Sequence, residues 1–154
     1  MKTGTLLNYV AYFQEWADND PELTFFMFGS VELGLEAPRS HPDFNYPFAW
    51  LEQPTIISDS TGNHNFNEVF QSGISVLFDA PQDDHDAQIR AYDSALSILY
   101  RLQSKLHKDT KDGSIICEVT GIKKEAVSQL WLDSHYGFRM EFMATFNLST
   151  VYKR

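Results

Sequence analysis

Two stretches of the chain place most apolar and most polar residues on opposite parities. Phe70, Ile74, Val76 and Phe78 share one parity, while Gln71, Gly73, Ser75 and Asp79 fall on the other. Phe138, Met140, Phe142 and Phe146 repeat the pattern against Arg139, Glu141 and Thr145. A period of two is that of a strand with one face in a core. Between these strands, Ile89, Tyr92, Leu96, Leu99, Leu102 and Leu106 recur at helical spacing and predict a helix over 82–108, with acids leading it and Lys105, His107 and Lys108 closing it. That charge order complements the helix dipole.

The flanks extend the pattern. Leu6, Val10, Phe13 and Ala17 predict an amphipathic first helix that ends before Pro21, which cannot continue one. Leu23 to Phe28 reads as a strand buried on both faces, and Phe48 to Glu52 as a second strand ended by Pro54. Leu33 to Pro47, with three prolines, reads as a long surface loop. The stretch 58–67 reads as a polar, turn-rich connection, so that strands 48–52 and 68–78 form a hairpin. Asp109 to Ser114 is a polar link. Residues 115–120 and 126–132 predict one long strand bent at Gly121, and 133–137 a turn into the final strand. The expected fold is α+β: a single domain, 1–154, with a mostly antiparallel or mixed sheet and two main helices packed on one face, in the order α-β-β-β-α-β-β. Residues 147–154 would form a C-terminal extension.

Composition narrows the function classes. The chain has 154 residues, 12 Phe, 7 Tyr and 3 Trp, so it can bury a core without disulfides or a metal. A net charge of −9 argues against wrapping nucleic-acid phosphates. The single cysteine, Cys117, sits in an apolar run and reads as a small hydrophobe in a reducing compartment. Asn8, Gln14 and Glu15 interrupt the first apolar segment, which is neither a signal peptide nor a membrane span.

Candidate chemistry is sparse. Asp79, Asp83, Asp84 and Asp86 cluster with His85, a set that could hold a divalent cation, but no established metal-loop spacing is present, and acids at a helix start have a simpler electrostatic reason. The five histidines, His41, His64, His85, His107 and His135, are scattered and read as solvated. No nucleophile elbow or phosphate loop occurs. The expectation is no catalytic site, no metal and no cofactor. Trp16, Trp50 and Trp131 read mainly as core, with some aromatics left exposed at protein contacts. Phe44 and Tyr46 in the loop, Lys123 and Lys124 at the bend, and Asp83, Asp84 and Asp86 at the other end of the long helix are the interface candidates, a polarity suited to head-to-tail contacts.

The strand ending at residues 74–81, the acid-led helix to Leu106, and the closing hairpin through residues 136–142 together resemble the tail terminator (tail completion) and neck ring proteins of tailed bacteriophages. The resemblance is one of element order over most of the chain. It implies a structural virion protein, made in the host cytoplasm, that forms a ring typically of six subunits, caps the tail tube and joins it to a neck or head-completion protein. It also implies that DNA passes through the lumen without specific binding, and that no membrane is involved. The competing readings are a small-ligand-binding α+β domain with an aromatic pocket and a metal-dependent hydrolase on Asp79, Asp83, His85 and Asp86.

Overall fold

The computed structural model describes residues 1, 4–30, 41–60, 66–129 and 135–148. The chain folds as α1 (Leu6–Asn19), β1 (Phe25–Gly29), β2 (Phe48–Glu52), β3 (Thr55–Ser60), β4 (Phe66–Asp79), α2 (His85–Asp112), β5 (Cys117–Gln129) and β6 (His135–Asn147). One six-stranded sheet runs in the order β1-β2-β4-β6-β5, and β3 pairs with β4. Only β1 and β2 are parallel neighbours, so the sheet is mixed. Both β4 and β5 run antiparallel to β6, so α2 is the crossover of a split β-α-β unit with β6 inserted in the middle.

The α+β class and the packing of two helices on one face match the expectation, with one strand added. The polar stretch read as a connection is partly β3, which pairs from Thr55↔Gln71 to Ser60↔Phe66. Beside β4, β2 and β3 lie end to end along one edge, offset by one residue across Gln53 and Pro54. Proline removes a ladder donor, and the break falls there. β1 is half-buried rather than enclosed on both faces, because it lies at the sheet edge. Asn147 is the last residue of β6 and pairs with Asn67; residues 149–154, on which most of the expected extension falls, lie outside the described residues, as do Trp131 and His64.

Both helices are rotated from their expected phase. In α1 the buried stripe is Tyr9, Tyr12, Phe13, Trp16 and Ala17, while Leu6 and Leu7 are exposed. Four aromatic rings and an alanine at i, i+3, i+4, i+7 and i+8 remove more apolar area from water than the stripe Leu6, Val10, Phe13 and Ala17 would. In α2 the buried residues are Ala91, Ala95, Ile98, Leu99, Leu102 and Leu106, and Ile89 is half exposed. Small side chains occupy the first half because they allow the helix to lie close to the sheet. Asp84 caps α2, accepting from the Ala87 amide at 2.9 Å. The helix continues through the expected polar link to Asp112 and stops at left-handed Gly113.

The core between helices and sheet is aromatic. Phe13 meets Tyr9 edge-on (5.1 Å between ring centres) and Phe142 at a tilt (5.5 Å), and Phe70 meets Tyr9 at a tilt (5.3 Å) and Phe146 edge-on (5.0 Å). Trp16 and Trp50 are buried, and so is Cys117, whose thiol burial pushes up to about 11. No helix among the described residues is long and apolar enough to cross a membrane.

Candidate interaction surface

The helices cover one face of the sheet, and the pairing registers define what the other face displays. Reading across it, Phe48, Leu77, Gly137 and Val127 form one row, and Trp50, Ser75, Arg139 and Glu125 the next. Gly73, Glu141 and Lys123 form a third, and Thr55, Gln71, Met143 and Thr120 a fourth. The first row is apolar and is covered by the segment before β2. The second and third rows carry charge.

Arg139 is the centre of the charged band. Its Nε and Nη2 donate to the two carboxylate oxygens of Glu52 at 2.6 and 2.8 Å, and its Nη1 to Glu141 at 3.1 Å. The fork is bidentate and half-buried, the geometry in which arginine pairs best with a carboxylate. Glu52's carboxylate holds the guanidinium firmly charged. The guanidinium lies over Gly73, where an added Cβ would come within 2.7 Å of it. Toward the β5 edge, Lys123 pairs with Glu125 at 2.6 Å, which holds the Glu125 carboxyl below its usual range and raises the lysine.

The expected interface residues fall in three places. Phe44 and Tyr46 lie on the apolar row: Phe44 meets Phe48 at 4.9 Å and Phe25 at 5.4 Å, and Tyr46 meets Phe48 at 5.7 Å. The Tyr46 hydroxyl is bonded to His135 Nε2. Their rings therefore serve as a cover for the sheet. His135 is 2 % exposed, so the reading of all five histidines as solvated fails at this one; it belongs to β6 and not to the turn, and the aromatic cover shields it.

Lys123 and Lys124 point to opposite faces. Gly121, at φ +65°, and a register shift between Thr120 and Lys123 place the bend as expected, but within one continuous strand. Lys124 turns toward the helices, where it bonds Gln103 and sits 5.1 Å above the Tyr100 ring, a cation–π distance. It thus meets α2 just past the helix midpoint. Asp83 is exposed, Asp84 is the cap, and Asp86 lies in the first turn of α2. Among the described residues no three His, Cys, Asp or Glu side chains converge as ligands for a metal ion.

Between the helices lie two adjacent grooves of about 450 and 480 Å³ that share Glu15 and Lys105. Tyr12 donates to Asp109 at 2.7 Å, Lys105 pairs with Asp109 at 2.6 Å, and Arg101 forks onto Asp20 at 2.9 Å. The Tyr12–Asp109 and Arg101–Asp20 bonds tie α1 and its cap to α2, while Lys105–Asp109 lies within α2. Burial and then the Asp109 bond push the Tyr12 phenol well above its usual value, and burial does the same to Tyr9, so neither is poised to lose a proton near neutrality. The sign for stability follows. The unfolded chain releases these protons near pH 10 while the folded chain keeps them, so stability is intact below pH 10 and falls as pH rises above it. Denaturant melts at pH 9 and 11 should show this loss, and Tyr12→Phe should reduce it while costing about 1–3 kcal/mol at pH 7 by leaving buried Asp109 short of a donor.

Neither a protein-family model nor a curated protein matches the chain.

Proposed function

We propose that the chain is a structural subunit of a tailed-phage virion, a tail terminator or neck ring protein whose copies assemble into a ring, typically of six, at the end of the tail tube. The observation that carries this reading is the sheet face opposite the helices, of which the described residues cover only the first row. Helices bury one face, while the other holds a band of paired charges, Glu52, Arg139, Glu141, Lys123 and Glu125, on strands whose positions are set by pairing. Side chains fixed in this way suit contact with protein surfaces, where electrostatic complementarity sets register and partner choice.

The element order adds support. An N-terminal helix, a sheet, a 28-residue helix and a closing hairpin of two 13-residue strands is the arrangement on which the resemblance rests. The ring would contact the tail tube on one side and a neck or head-completion protein on the other, with DNA passing through the lumen. Acids at the head of α2 and Lys108 and Lys111 near its end, about 40 Å apart along the axis, give each copy unlike ends for head-to-tail closure.

Charge reversal tests the band. Arg139→Glu in the full chain should abolish capping of tail tubes in electron micrographs while far-UV circular dichroism stays native. Capping at the wild-type level would remove the band from the account.

A further inference from the structure

We propose that the outer edge of β5 is a self-complementary interface that joins two copies of this chain antiparallel about a two-fold axis at Lys124. Among the described residues β5 pairs along one side only, with β6, so the other side of a 13-residue strand presents unpaired backbone groups. Such an edge is a template for another strand unless something blocks it, and lysines commonly do so. Here neither lysine is left as a free charge: Lys124 is withdrawn from the edge, and Lys123 stays on it but is paired. Lys123 is held by Glu125 on its own strand, and Lys124 is withdrawn onto Gln103 and Tyr100 of α2.

The sequence of the strand fits itself in one register. With the axis at Lys124, Lys123 of each copy stands opposite Glu125 of the other on the open face, twice by symmetry, and half-buried Ile122 stands opposite exposed Ala126. Moving the axis one residue either way sets Lys123 against Lys123 or Glu125 against Glu125, and like charges directly opposite are destabilising. The remaining clash, Lys124 against Lys124, is relieved because each ammonium already lies over its own α2. The contact is isologous and closes on itself, so it is separate from the heterologous contacts a ring needs, and it stands or falls independently of the ring reading.

Cross-linking of the full chain tests the register. Directly opposite residues in an antiparallel ladder have Cα atoms about 4.5–5.5 Å apart, within disulfide reach, whereas Ala126 and its copy would be about 14 Å apart. Lys124→Cys should therefore form a disulfide dimer under mild oxidation at least about tenfold faster than Ala126→Cys. Buried Cys117, with its thiol pushed up to about 11, should remain silent in both. In sedimentation velocity, Lys123→Glu and Glu125→Lys should each abolish the dimer, and the double exchange should restore it. Equal cross-linking rates, or a double exchange that stays monomeric while each variant keeps native circular dichroism, would overturn the proposal.

Discussion

Gly137→Ala is expected to destabilise the fold by about 4–5 kcal/mol, lowering the melting temperature by roughly 10–20 °C or preventing soluble expression. Gly137 pairs with Leu77 in the centre of the sheet, and a Cβ placed on it would lie 1.9 Å from the Val76 carbonyl oxygen and 2.9 Å from the Val76 carbonyl carbon. Both obstacles are backbone, so no rotamer change relieves the overlap. The strands β4 and β6 would have to separate where thirteen residue pairs hold them. Gly113→Ala is the control. Gly113 is left-handed at φ +76° but has open space around it, so its alanine should cost only about 1–2 kcal/mol of backbone strain. Equal losses at the two positions, measured by thermal and chemical melts, would refute the close approach of β6 to β4.

Phe142→Ala should cost about 3–5 kcal/mol. Phe142 is fully buried on β6, a strand paired on both sides, and its ring meets Phe13 of α1 at 5.5 Å. Truncation removes the area buried between the helix layer and the sheet and leaves a cavity that strands pinned on both sides cannot collapse. Leu7→Ala makes the comparison. Leu7 is 81 % exposed on α1, and its loss should change stability by no more than about 0.5 kcal/mol. A small effect at Phe142 would mean that α1 is not seated on the sheet as described.

Strand identity was readable wherever one face meets a core and the other meets polar surroundings. The alternations through Phe70 to Phe78 and Phe138 to Phe146 locate β4 and β6 for that reason. β3 was missed because Ile56 and Ile57 are both about half exposed. Its pairing with β4, and not burial, holds it as a strand. Helical spacing places Phe13, Ala17, Leu99, Leu102 and Leu106 correctly on the buried faces, yet Tyr9, Trp16, Ala91 and Ala95 complete them, because a helix presents to a sheet what fits the gap. Such fit is set by long-range packing that periodicity does not encode.

The charged band shows the same limit. Arg139 and Glu141 were visible as the polar parity of β6, but Glu52 lies 87 positions from Arg139 in the chain, and only the strand order brings them together. His135 and the Phe44–Tyr46 cover are likewise products of topology. The segment before β2 folds back over the first row of the open face, which loop composition does not reveal. The acid-led start of α2 and the bend at Gly121, by contrast, were legible because each depends on a few consecutive residues.

The most direct test of the ring reading is the solution mass of the full chain by light scattering across protein concentration, with electron microscopy of the same samples alone and mixed with tail tubes. The account predicts closed rings, or caps at tube ends that appear when tubes are supplied. A chain that stays monomeric at every concentration and leaves tube ends bare would contradict it.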